Sequence, residues 1–375
     1  MTESSVPPIR YEMSRTHPPL IPHTFDPEYR RALASVMEKS TPSETVGAHR
    51  WGGTETDRAA GAEFTGLRLG RPPEPGRVVL TNGTQSAIVM LLGSLAQSGR
   101  ALAVENLAYP PAITIAQRYG IPIAPIGMDD QGMMPEALDE QCRQNPTAAV
   151  LLLSTLHNPT SVTMSLARRE AIAAVARKHD LQIIEDDIYS LLPNVRLKPV
   201  SAFAPERSWY LLGVAKAIAP GLKIAFVVAP DNAQAEARFW PGVRATHWMS
   251  APINAAVMAE LIQNGGANRV IDAVRAEMRE RHRLIAPLAR DMGAVTADGA
   301  LHLWVPLPGR LKASELAAEI RMAGINLTTA DPYAVPGVEA PSALRIGIGH
   351  AKTRQDLLDA LALVSEIHER AIARA

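Results

Sequence analysis

The chain has 375 residues, 47% of them hydrophobic and 20% charged, enough for one large core and a smaller one. Lys+Arg and Asp+Glu each number 38, so no overall field selects nucleic acid, an anionic membrane or an acidic partner. The single cysteine, Cys142, excludes an intrachain disulfide framework and a cysteine-built zinc site, which fits a reducing compartment.

Residues 1–22 are proline-rich and predict an extended arm without a signal-peptide pattern. No apolar run approaches a membrane span, so a cytoplasmic location without a membrane partner is expected. Helical spacing with an acidic start follows over 26–39, and residues 41–76 predict loop, a helix over 56–69, and loop. Short β-rich runs then alternate with helices: strand 77–81, helix 84–97, strand 101–105, helix 110–119, strand 122–126 and helix 135–143. Strand 148–154, helix 165–179 and strands 181–186, 209–213 and 223–229 continue the series. Near-continuous apolar strands between helices predict an α/β fold with a mostly parallel sheet covered on both faces.

After Pro252 the texture changes to helices over 252–264 and 267–291, the second heavily charged. Strands over 299–307, 325–330 and 343–348 with helices over 312–323 and 353–372 predict a smaller α+β domain. The expected division is an arm and helix over 1–45 packing with the small domain, a large domain over 46–266, and a connecting helix and small domain over 267–375.

In open α/β sheets ligands bind beyond the carboxyl ends of the strands. One strand ends at Thr81-Asn82-Gly83, where Gly83 permits close backbone approach and the N–H groups of Thr84 and Gln85 open a helix, a candidate anion site. The chain has no GxGxxG and no GxxxxGK[ST], which removes the usual dinucleotide and P-loop readings. A second strand ends in Glu185, Asp186 and Asp187, with Tyr189 close behind. Three consecutive carboxylates need a cation nearby or different directions. The ten histidines lack HExxH-type spacing, so a protonated ring nitrogen is a more economical partner than a metal; solvated acids at a strand end are the alternative. A third strand exits into Asn158-Pro159, an ordinary turn former, and in ALRIGIG the guanidinium of Arg345 interrupts an apolar strand and calls for a carboxylate.

The run from Trp209 to Ala229 is apolar apart from Lys216 and Lys223. A lysine among Val214, Ala215 and Ile218 is either a nucleophile suited to a Schiff base with an aldehyde, or a strand-end lysine whose stem covers apolar surface while its head reaches water.

Taken in order from about Trp51, these elements resemble the fold type I, pyridoxal-phosphate-dependent class I/II aminotransferases. The likeness is nearest to kynurenine/aminoadipate-type enzymes and to the aminotransferase-like domain of MocR-type regulators. The resemblance implies pyridoxal 5'-phosphate as cofactor, with Lys216 of GVAKAIAPGLK condensed with its aldehyde, Asp186 on its pyridinium nitrogen, and Tyr189 and Asn158 on its phenolic oxygen. It further implies Tyr109 stacked on the ring, Gly83, Thr84, Gln85 and Lys223 at the phosphate, and Arg345 with Asn158 at the substrate α-carboxylate. The implied activity moves an amino group from an α-amino acid to a 2-oxo acid in a homodimer with its site at the interface. Another reaction of the same cofactor, such as a lyase, decarboxylase or oxidase reaction, and a sensor without turnover are the alternatives. About fifty residues precede the core and no basic recognition helix is visible, so no nucleic-acid partner is expected.

The sequence also departs from the family pattern. Gly213 stands in place of a phosphate-binding serine, Ala215 at a serine or alanine position, Lys223 in place of arginine, and Ser161 in place of the glycine of NPTG. Arg50 or Trp51 sits near the place of a tyrosine that reaches the neighbouring subunit. Weaker phosphate anchoring, compensated by Thr84, Lys223 and Arg50, is the expectation. His302, in GALHLWV, is a candidate for the substrate wall or a structural histidine.

Overall fold

The computed structural model describes residues 7–374. Its central sheet has seven strands in the spatial order Val78–Thr81, Ala225–Val228, Ser208–Gly213, Gln182–Asp186, Thr147–Leu152, Ala101–Glu105 and Ile123–Ile126. Ala225–Val228 runs antiparallel to both its neighbours, and every other pairing is parallel. The sheet is therefore mixed but mostly parallel, as its continuous apolar strands require: both faces are covered, so neither face tolerates polar alternation.

The two-residue period of a strand divides the core between the faces. Val79, Leu151, Ile184, Leu211 and Val227 join a cluster with Ile88 and Leu92 of the helix Thr84–Leu95 and Ala112 of the helix Pro110–Arg118. Their strand neighbours Leu80, Leu212 and Phe226 pack the other way, against Phe64 of the helix Glu55–Leu69 and Met258 of the helix Pro252–Gln263. Further along that second face, Val150, Leu152 and Ile183 meet Leu138 and Ile172.

A second, three-stranded antiparallel sheet has the order His302–Pro306, Ala343–Gly347, Thr328–Thr329. The helices Ala313–Met322 and Arg354–Arg374 pack with it, and the 26-residue helix Gly266–Asp291 reaches it through Arg281. The buried guanidinium of Arg281 is satisfied by Glu277 Oε1 and by the carbonyls of Ile348, Gly349 and Ala351 at 2.9–3.1 Å.

Three elements differ from the sequence reading. Residues 41–55, expected as loop, open with a short helix, Pro42–Val46, whose capping box pairs Thr41 with Glu44. The run over 325–330 is two strands with different partners: Ile325–Asn326 pairs in parallel with Tyr11–Glu12 of the arm, whereas Thr328–Thr329 pairs with Ala343–Gly347. The first helix spans Pro22–Lys39, one turn longer than expected. Pro22, not Pro27, takes the first-turn position, where a missing N–H costs nothing, and no acid sits in that turn.

Candidate active site

Val78–Thr81 delivers the chain to Gly83, whose φ of 87° glycine adopts without strain and whose missing side chain leaves open space. No side chain caps the helix that opens at Thr84, so its first N–H groups face the cavity as donors. Asn82, Gly83, Thr84, Gln85 and Lys223 form one wall of a depression whose other side carries Lys216. Lys223 is exposed, with φ of 52° after the turn Pro220–Leu222.

The three carboxylates at the end of Gln182–Asp186 point in three directions. Glu185 accepts from Ser154 Oγ at 2.5 Å and from the N–H groups of Val200 and Ser201 at 3.0 and 2.7 Å. Asp187 accepts from Arg68 Nε at 3.2 Å and Tyr210 OH at 2.8 Å. Of the three, Asp186 alone faces the cavity, its Oδ1 buried and without a hydrogen-bond partner among the described residues. Burial, reinforced by the Asp187 charge, pushes its carboxyl up to about 7.

Lys216 sits in the turn that follows Ser208–Gly213, a turn fixed by the Val214 N–H on Ile224 O and the Ile218 N–H on Val214 O. Its Nζ donates to Thr16 O at 2.9 Å and to Thr16 Oγ1 at 3.1 Å, and lies 5.9 Å from the centre of the Tyr189 ring. Burial and the positive charges of Arg345 and Lys223 bring its amine down to about 8, against the opposing pull of Asp186.

Asp186, Tyr189, Lys216, Tyr109, Asn158 and Arg345 line one cavity of about 370 Å³. Tyr109 immediately precedes its helix, Pro110–Arg118, and burial with the Asp186 charge raises its phenol to about 12. Arg345, 4% exposed on Ala343–Gly347, donates to Asn158 Oδ1 at 3.3 Å, to Thr328 Oγ1 at 3.4 Å and to the Ser14 carbonyl. Its guanidinium lies 5.4 Å from the Tyr333 ring centre. None of these partners is a carboxylate, and Nε is buried without a partner among the described residues.

The departures acquire physical reasons. A Cβ at Gly213 would stand 2.9 Å from Thr84 Cγ2 and 3.2 Å from Ile188 Cγ1, so a serine there requires these side chains to shift. Ser161 holds a φ of 61° and ties its hydroxyl to His302 O at 3.0 Å. His302 is fully buried behind Tyr189, with ring centres 6.2 Å apart, and does not line the cavity. Arg50 donates to the Glu44 carbonyl and does not line the depression around Gly83 of its own chain. Trp51 instead packs edge-on against Trp248 with Arg244 4.0 Å over its ring.

The cavity residues that were not anticipated include Ser14, Arg15, Thr16 and His17 of the arm, together with Thr328 and Tyr333. The signal that points to the arm is the alternation Gly347, Gly349 in RIGIG. A Cβ at Gly347 would meet Arg15 O at 2.1 Å, and one at Gly349 would meet His17 O at 2.2 Å. The arm backbone lies against the strand where only glycine admits it.

The family model for class I and II aminotransferases matches residues 28–362. An HTH-type transcriptional regulator of Bacillus subtilis, YdeF, itself uncharacterized, is 26% identical over 293 residues, 77% of this chain. The chain spans 62% of that regulator's length. The 2-aminoadipate transaminase of Thermus thermophilus is 24% identical over 291 residues, covering 75% of this chain and 71% of the enzyme. In three dimensions the chain is similar to a multiple substrate aminotransferase from Thermococcus profundus. The TM-score is 0.87 at 21% identity, over 100% of this chain and 94% of that one. The family match over most of the chain and the fold agree: the protein belongs to the class I and II aminotransferases, a pyridoxal-phosphate-dependent family.

Proposed function

We propose that the protein is a pyridoxal-phosphate-dependent aminotransferase that moves an amino group from an α-amino acid to a 2-oxo acid, with Lys216 as the residue that condenses with the cofactor. The observation that carries this reading is the pairing in one cavity of a half-buried lysine and a buried carboxylate oxygen, Asp186 Oδ1, that has no protein partner. A protonated pyridine nitrogen supplies the donor that this oxygen lacks. The open face of Gly83 and the uncapped N–H groups after it fit a phosphate, with Lys223 beside them. Tyr109 and Tyr189 supply an aromatic face and a phenol, and Asn158 an amide.

When bound, the cofactor supplies an electron sink for the pair left when Cα loses its proton. The remaining roles fall to the chain. Arg345, buried and without an acid partner, binds the α-carboxylate and with Asn158 fixes the orientation of the donor. Lys216 Nζ, brought down to about 8, is placed to take the Cα proton as a base near neutral pH and, as the acid, to deliver it to the cofactor-side carbon C4′ and not back to Cα. Asp186 remains charged opposite a ring N–H and holds that proton in place. The homodimer with its site at the interface and the cytoplasmic location are carried over from the family likeness and belong to the same proposal.

A second reading, a cofactor-holding sensor without turnover, is favoured by the likeness to the Bacillus subtilis regulator. The two separate in one experiment. The protein loaded with cofactor is mixed with a panel of amino acids while the cofactor absorbance is followed, and 2-oxo acids are then added. Loss of the band, formation of the matching 2-oxo acid and return of the band on adding acceptor support the aminotransferase. A band that moves with no oxo acid released supports the sensor, and a different product supports another reaction of the same cofactor.

A further inference from the structure

The arm contributes more than a wall to this site. It is held by Met13, whose N–H donates to Asn326 O at 2.7 Å and whose carbonyl accepts from Gly347 N at 2.6 Å. The Ser14 carbonyl accepts from Arg345, and Gly347 and Gly349 admit the carbonyls of Arg15 and His17. This anchoring fixes the one residue between them, Thr16, which is 6% exposed. Its hydroxyl lies 3.1 Å from both Lys216 Nζ and Tyr189 OH, and its carbonyl 2.9 Å from the same Nζ.

We infer that Thr16 is a positioning residue, which holds the uncondensed Lys216 amine with two acceptors and joins it through one hydroxyl to Tyr189. The inference rests on the reading that Lys216 carries the reactive amine. An aminotransferase frees its lysine in the first half reaction and engages it again in the second, and meanwhile the free amine must neither rotate away nor lose its aim at Cα. Thr16 meets both needs: two of the three N–H groups of a Lys216 ammonium are directed at fixed oxygens, and the third is left to face the cavity. Acceptors for the charged amine also favour its protonated form, so Thr16 opposes the downward pull of burial, Arg345 and Lys223, while His17, brought down to about 4, is uncharged where the amine titrates. Asp186 acts in the same sense as Thr16, and Tyr189 faces the amine as an uncharged ring.

The test uses Thr16→Val, which keeps shape and carbonyl but removes the hydroxyl, and Thr16→Ser, which keeps both oxygens. The full chain, freed of cofactor, is labelled with an amine-selective acylating reagent across a pH series, and the label on Lys216 is quantified by peptide mass spectrometry. The expected result is a labelling midpoint lower by on the order of one pH unit in Thr16→Val and unchanged in Thr16→Ser. An unchanged midpoint in Thr16→Val, or an equal change in both variants, overturns the inference. Borohydride reduction of the loaded, unsubstituted protein separates the two levels. Cofactor fixed on Lys216 with an unmoved midpoint overturns the role of Thr16 alone, whereas no cofactor on Lys216 overturns the reading beneath it.

Discussion

Asp186 and Lys216 face one cavity and oppose each other's burial: the carboxylate raises the proton affinity of the amine, and the amine lowers that of the carboxyl. Burial wins in both cases, leaving the acid at about 7 and the amine at about 8. An amine brought near neutrality is equipped to act as a base, and the carboxylate beside it is left for a cationic partner.

Asp186 gives a pH test of stability. Its folded value, about 7, lies above its ordinary value of 3.8, so between these limits the folded chain binds more protons than the unfolded one. This group therefore stabilises below about pH 4 relative to higher pH, and that contribution is lost as pH rises towards 7. His17, brought down to about 4 by burial and by Lys216, acts in the opposite sense between pH 4 and 6.5, so the comparison must be with Asp186→Asn. Without cofactor, the melting temperature of the unsubstituted protein is expected to fall relative to Asp186→Asn over this window. Parallel curves would contradict the raised carboxyl. With cofactor, Asp186→Asn should lower kcat by on the order of 10³-fold, since a neutral amide cannot hold the ring nitrogen charged.

Arg345→Ala removes the buried guanidinium that has no acid partner. The expected effect is a rise in KM for amino donors of roughly 10- to 100-fold, with the absorbance of bound cofactor retained. Steady-state kinetics with one donor check this, and an unchanged KM would remove Arg345 from the carboxylate site.

Gly213→Ser restores the family's residue but not its function. The new Cβ would meet Thr84 at 2.9 Å and push on the turn that opens the phosphate wall. Thermal unfolding should show a loss of about 1–3 kcal/mol, and cofactor should be held less tightly, not more. Tighter retention would show that the wall adapts.

Lys223→Ala removes an exposed point charge beside Gly83, Thr84 and Gln85. Because solvent screens it, cofactor affinity should fall only about 2- to 5-fold, measured by equilibrium titration of the cofactor-free protein. Retention equal to that of the unsubstituted chain would refute the role.

The central sheet was legible because strands buried on both faces are apolar throughout: AAVLLLS, LQIIED and WYLLG announce themselves against the helices between them. Gly83, Asn158 and Asp186 follow from the rule that ligands gather at the carboxyl ends of the strands, and Lys216 from the cost of an ammonium within an apolar run. Thr16 did not, because it reaches Lys216 across 200 residues from a segment with neither periodicity nor charge pattern. Tyr333 was hidden for a similar reason: it lies in the short turn Asp331–Tyr333, and its place under Arg345 depends on packing. His302 shows the converse, a polar residue within an apolar strand that is buried away from the cavity.

The most direct measurement is borohydride reduction of the cofactor-loaded protein, followed by proteolysis and mass spectrometry of every lysine-containing peptide. The account predicts the reduced cofactor adduct on Lys216, its loss in Lys216→Ala, and reduced loading in Asp186→Asn. An adduct on another lysine, or none on a protein that still turns over amino donors, would contradict it.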